Sequence, residues 1–242
     1  MRFTPSWYSV TMGTGICNTL LFLMPWQSTH AAFRAIGAAF LLLDIGIFII
    51  FTLMTVARYI MYPAIFGAML SHPVHSLFIG TFSMGFVTIV SGIAFQGHEY
   101  GISGSIEVAA ALWWVALAFS AVTVAAVPLA MQTTHNHTSE SLTAAWLLPI
   151  VPPITIGAAG ATIASLLADS QPEYALNIWI GSYIMEGIGC LLAAMVLVLY
   201  FQRLALHHIP GREVVVTTLL PLGPCGQVSR PLSELSKSDA CK

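Results

Sequence analysis

Six apolar runs divide the chain, each about as long as a helix needs to cross a bilayer (roughly 20 residues). They cover Tyr8–Trp26, Ala35–Val56, Leu77–Phe95, Val108–Met131, Leu142–Leu167 and Ala175–Tyr200. A further run starts at Val214 and loses its apolar character by Cys225. Only 7% of the residues are charged and 57% are hydrophobic, against roughly a quarter charged in soluble domains. A water-soluble core cannot absorb such unbroken runs. The expected fold is an all-α integral membrane protein built of helical hairpins, with six full spans and a partial seventh. Residues 1–225 then form the transmembrane domain, and 226–242 read as a polar, disordered tail.

Arg2 ahead of the first run gives it the look of a signal peptide. Gly13-Thr14-Gly15 inside the run, and the absence of a small-x-small cleavage pattern at its end, favour a retained first span. With a net charge of −2 and eight Lys and Arg in all, no phosphate-binding face is available, so nucleic acid is not expected as a partner. The four cysteines form no Cys-x-x-Cys and read as small packing residues. Neither a metal nor any other cofactor is expected. The loop histidines His135, His137, His207 and His208 lack a carboxylate or thiol at ligand spacing and read as solvated. No His-Glu-x-x-His or Gly-x-Ser-x-Gly occurs, and an enzyme is not expected.

Basic residues set the orientation. Arg2, Arg58, Arg203 and Arg212 fall on one side, joined by Arg230, Lys237 and Lys242 if the stub does not cross; Arg34 alone falls on the other. This puts the N-terminus in the cytoplasm and argues against a seven-helix receptor. Trp113 and Trp114 read as interface anchors.

The runs alternate in kind. Odd ones carry glycine, proline and hydroxyl residues, as in MGTG at 12–15, GTFSMGF at 80–86 and LPIVPPITIGAAGA at 148–161, and the stub repeats this in LPLGPCG at 220–226. Even ones are smoother. The unit is thus a hairpin repeated in parallel at a period of about 70 residues. Backbone groups freed by glycine and proline must be buried in protein or face a wet path. The odd helices are therefore expected inside, around a pore, and the even ones outside. Close helix packing through small residues explains any single glycine equally well.

An anion shedding its water needs weak, reversible donors, which hydroxyls and freed amides supply. The pore candidates are Thr11, Gly13, Thr14, Gly15, Thr81, Ser83, Phe86, Pro153 and Thr155. Each hydroxyl can alternatively bond its own helix. Phe82 and Phe86 can narrow a path or pack between helices. Asp44 and Glu186 are acids inside spans, to be read as proton-coupling groups or as neutral structural acids.

The segments FTPSWYSVTMGTGI (3–16), HSLFIGTFSMGFVTIV (75–90), LWW (112–114) and IPGREVVVTTLLPLGPCGQ (209–227) resemble the tellurite-resistance/dicarboxylate transporter family. That group takes in slow anion channels and malate permeases, and these segments are most similar to its fungal sulfite-export branch. The resemblance implies a plasma-membrane transporter of small anions, sulfite or a dicarboxylate such as malate. It also implies ten helices in five hairpins, a central pore of odd helices gated by a phenylalanine on the ninth, and association as a trimer. This chain has three hairpins and the start of a fourth, so the gating role passes to no residue here. A truncated chain that conducts nothing alone, or that regulates longer relatives, is the alternative expectation.

Overall fold

A computed structural model describes residues 4–24, 30–70, 72, 75–134, 142–207, 219–224 and 226. The sequence features at His135, His137, His208, Val214 and Cys225, and the tail beyond 226, lie outside these residues. Among the described residues the chain is helical, with no strand. In order come α1 (Tyr8–Phe22), α2 (His30–Met61), the short α3 (Ala64–Leu70), α4 (Ile79–Glu99), α5 (Ser105–Thr134), α6 (Val151–Leu167) and α7 (Pro172–His207).

Four described segments are long and apolar enough to cross a membrane: Ala32–Met61, Ser76–Glu99, Ser105–Thr133 and Pro172–Leu206. Val151–Leu167 is a shorter apolar helix. Two expected spans are therefore trimmed. The first ends at Phe22, where Leu23 caps α1, short of the expected Trp26. The fifth begins with a 3₁₀ turn, Ala144–Leu147, and becomes α-helical only at Val151. The reason is Pro152-Pro153. Proline lacks an amide hydrogen that the first helical turn does not use, so this pair starts α6 instead of breaking it.

The helices pack as hairpins α1–α2, α4–α5 and α6–α7, and α4 touches α1, α2, α5 and α6. Gly101 (φ 65°) and Gly104 (φ 83°) turn the chain between α4 and α5, in a conformation L side chains avoid. Burial differs among these spans: the most apolar 18-residue stretch of Ser76–Glu99 is 61% buried, against 22% for that of Ala32–Met61 and 33% each for the other two. The exposed faces of α2, α5 and α7 carry Leu42, Ile50, Leu53, Val122, Leu191, Met195 and Val198, side chains that suit lipid tails.

Close approach in the core is set by glycines. At Gly85 a β-carbon would collide with the Thr11 hydroxyl, so α1 and α4 meet there almost backbone to backbone. Gly160 likewise admits Trp113: a β-carbon there would lie 2.6 Å from the indole. Trp113 is fully buried and donates its ring N–H to the Ile156 carbonyl at 2.9 Å. This corrects the expectation of an interface anchor at Trp113. Its neighbour Trp114, 38% exposed, takes the outer side of the same helix.

Candidate functional site

A cavity of about 310 Å³ lies between α1, α4 and α6 and is bordered by Leu220, Gly223, Pro224 and Gly226. Its wall is apolar, with Met12, Ile16, Met84, Val87 and Val151, and is interrupted by hydroxyls at Thr19, Thr88, Ser91, Thr155 and Thr162. No Lys, Arg, Asp or Glu is among the lining residues. The three helices contribute through helical periodicity. Thr88, Ser91 and Phe95 follow one face of α4, Thr155 and Thr162 one face of α6, and Met12, Ile16 and Thr19 one face of α1.

The hydroxyl hydrogens are largely committed. Thr19 donates to the Gly15 carbonyl (3.1 Å), Thr88 to Gly85 (2.8 Å), Thr155 to Pro152 (2.8 Å) and Thr162 to Ala158 (3.1 Å). Those oxygens present lone pairs to the cavity, and each must rotate its hydrogen away from the helix before it can hold an anion. Hydroxyls committed in this way would hold an anion weakly and release it quickly.

Of the sequence-derived candidates, Thr155 lines this cavity. Thr11 is fully buried and donates to the Tyr8 carbonyl at 2.8 Å, while Thr14 donates to Val10 at 2.5 Å. Thr81 bonds the Phe78 and Pro5 carbonyls at 2.6 and 3.0 Å. Ser83 is buried with no hydrogen-bond partner for its hydroxyl. Phe86 stacks on Phe48, ring centroids 5.6 Å apart, within the aromatic group of Tyr8 and Phe82. Pro153 packs against Gly189 of α7, Gly13 faces open space, and Gly15 lies beneath Thr88 and Asp44. Thr19, Thr88, Ser91 and Thr162 were not singled out from the sequence, although their spacing of three, four or seven residues from other lining residues carried the signal.

A second cavity, about 210 Å³, shares Phe95 with the first and is lined by Arg34, His98 and Glu99. Here Arg34 Nη1 bonds Glu99 Oε1 at 2.6 Å and the guanidinium lies over the Phe22 ring, 5.6 Å from its centroid. The two intramembrane acids are both turned into the protein: Asp44 is fully buried and Glu186 is 8% exposed. Among the described residues no group of three His, Cys, Asp or Glu could hold a metal ion.

Known proteins place this arrangement. The chain is 40% identical over 234 residues to the sulfite efflux pump SSU1 of Arthroderma benhamiae, covering 97% of this chain and 61% of the relative. It is 29% identical over 235 residues to the SSU1 pump of Candida albicans, across 94% of this chain and 46% of that protein. It is 27% identical over 189 residues to a malic acid transport protein of Schizosaccharomyces pombe, across 78% and 42%. The chain thus spans less than two thirds of the length of these relatives. No solved structure matches it significantly. Residues 2–238 match the voltage-dependent anion channel (SLAC1) family, and the chain belongs to that family.

Proposed function

We propose that this chain builds part of a transmembrane passage for small anions, with sulfite the favoured substrate and a dicarboxylate such as malate the second. The observation that carries this reading is the cavity between α1, α4 and α6: hydroxyl-bearing, without Lys, Arg, Asp or Glu among its described lining residues, and bordered by the helices that carry glycine and proline. A fixed cation would hold an anion too long, and a purely apolar wall would not replace its hydration. The names of the relatives support sulfite over malate, since the fungal sulfite pumps share more of the sequence.

In this reading α1, α4 and α6 are the inner helices and α2, α5 and α7 the outer ones, with the 219–226 segment opening a seventh span. The lipid-facing side chains of the outer helices and the burial of α4 support that division. The protein is placed in the plasma membrane with a cytoplasmic N-terminus, and self-association, as a trimer, completes the passage.

The test is sulfite efflux from vesicles or from a sulfite-sensitive fungal cell expressing the chain. Thr155→Val keeps the shape and removes one donor, worth about 1 kcal/mol or roughly fivefold in flux. Flux unchanged in Thr155→Val and in Ser91→Ala would remove this cavity from the path. Malate movement without sulfite movement would transfer the assignment to the dicarboxylates. Flux seen only beside a longer relative would favour a subunit that works by association.

A further inference from the structure

Gly15 brings together two groups that lie on different helices. A β-carbon at Gly15 would lie 2.8 Å from Asp44 Oδ2 and would collide with the Thr88 hydroxyl. The bare α-carbon of α1 therefore leaves one small space shared by an acid of α2 and a hydroxyl of α4, and Thr88 also lines the cavity. Asp44 is fully buried; the Thr14 hydroxyl lies within reach of its carboxyl but donates to the Val10 carbonyl, and the carboxyl oxygens have no other hydrogen-bond partner. The Thr88 hydrogen is held by the Gly85 carbonyl, so its oxygen is open to accept.

Among the described residues no charged group faces this acid. The titratable residues of α1 are Tyr8 and Cys17, and those of α4 are His98 and Glu99. Tyr8 bonds Thr55 at 3.0 Å, Cys17 is exposed, and Glu99 pairs with Arg34. On α2 itself His30 and Arg34 lie toward one end and Arg58 and Tyr59 toward the other, and α3 has no titratable residue. A bare carboxylate here would lose hydration and gain at most the Thr14 hydroxyl in return, whereas the neutral acid needs only one acceptor.

The seat is repeated in the third hairpin. The interval from Gly15 to Asp44 equals that from Gly157 to Glu186, and a β-carbon at Gly157 would lie 3.0 Å from Glu186 Oε2. The two acids thus occupy equivalent places in the parallel repeat. They differ in their outlet. Beside Gly157 the next group is the Ser182 backbone carbonyl, not a hydroxyl lining the cavity.

We propose that Asp44 is a proton-binding site that exchanges with the cavity through Thr88, and that Glu186 keeps the same seat without that outlet. The proton passes between the carboxyl and cavity water across the Thr88 oxygen. The hydroxyl accepts one proton as it yields another, so protonation of the acid is its only net change. Resting on the anion-passage reading, the site also links proton to anion: negative charge in the cavity favours the neutral acid, and by reciprocity the neutral acid favours the anion.

Infrared difference spectroscopy of the purified chain in lipid, stepped from about pH 4 to about pH 10, reads this directly. Read in a Glu186→Gln background, which removes the band of the second acid, the expected result is a protonated-carboxyl band that fades as pH rises and is missing once Asp44→Asn is added. In heavy water, Thr88→Val, which keeps the shape, should slow deuteration of that band several-fold, while Thr88→Ser restores it. Sodium sulfite should make the band persist to more alkaline pH than a large impermeant anion at equal ionic strength. A band that never titrates, that survives Asp44→Asn, or whose exchange ignores Thr88→Val overturns the proposal, and the Thr88 variant keeps the test alive if Asp44→Asn does not fold. Titration and exchange need no flux. A titrating, Thr88-dependent band indifferent to sulfite would support the proton site and count against the anion reading.

Discussion

The Gln96 side-chain amide of α4 donates to the Asn18 carbonyl oxygen of α1 at 2.5 Å, with both residues buried. A polar pair joining two transmembrane helices stabilises their contact by roughly 0.6 to 1.7 kcal/mol. Gln96→Leu leaves the Asn18 oxygen unpaired, so the expected cost is about 1 kcal/mol and a lower unfolding midpoint in a denaturing-detergent titration. Replacing both partners by Leu should cost less than the two single changes added together. Additive effects would show that the bond contributes nothing of its own.

The contact of Trp113 with Ile156 and Gly160 ties α5 to α6, and it separates two kinds of damage. Trp113→Phe keeps an aromatic ring and removes the donor, with an expected loss of about 1 kcal/mol. Gly160→Val puts a branched side chain where the indole already lies, and should cost about 3 kcal/mol or more by forcing the helices apart. Thermal unfolding of both variants checks the ranking. Gly160→Val as stable as the parent would mean that α5 and α6 are not this close.

The helical class and the hairpin order were legible because lipid imposes long apolar runs and glycine marks close approach. What the sequence could not separate was a hydroxyl that faces a cavity from one that faces a neighbouring helix. Thr155 and Thr11 sit in similar contexts, yet one lines the cavity and the other lies beneath Gly85. That difference depends on helix rotation, which partners fix through contacts distant in sequence. Proline was misleading for a related reason: Pro152-Pro153 carries the same letters whether it breaks a helix or begins one, and only the 3₁₀ turn before it decides. Trp113 looked like an anchor because the glycine that admits it is on another helix.

His75, in the segment before α4, gives a pH dependence outside the membrane spans. Burial holds its imidazole below the ordinary value of 6.5, helped by nearby His72 and Arg58. The His72 and His75 rings lie 4.3 Å apart. A base depressed in the folded state is neutral there while the unfolded chain still takes up a proton. The stabilisation is therefore complete above about pH 6.5 and is lost as pH falls toward the lower folded value. Proteolytic nicking between α3 and α4 should rise as pH falls from about 7 to about 5, and His75→Gln should flatten the trend. An unaltered pH profile in the variant would assign the effect elsewhere.

The last prediction concerns sidedness, and Asn136 tests it. Asn136-His137-Thr138 is an N-glycosylation acceptor between α5 and α6, outside the described residues. The Arg34–Glu99 pair sets the start of α2 beside the end of α4. From that end α2 runs toward Arg58 and α5 runs toward Thr134, so the loop after α5 emerges on the side of Arg58. The end of α7 brings Arg203 to the same side. Basic residues tend to be retained in the cytoplasm, so the side of Arg58 and Arg203 is expected to be cytoplasmic, and Arg34, the one described Arg at the other end, is paired with Glu99. Asn136 is thereby expected to escape the glycosylating machinery, and the chain expressed in a eukaryotic cell should migrate identically with and without endoglycosidase. As a positive control, an acceptor built into the loop between α4 and α5 by Ile102→Asn, with Gly104→Thr completing the motif, should be modified if the turn tolerates the change. A shift that endoglycosidase reverses and Asn136→Gln abolishes would invert the whole topology. The Arg34 end of the bundle would then face the cytoplasm, and the cavity shared by Arg34 and Phe95 would become its inner mouth.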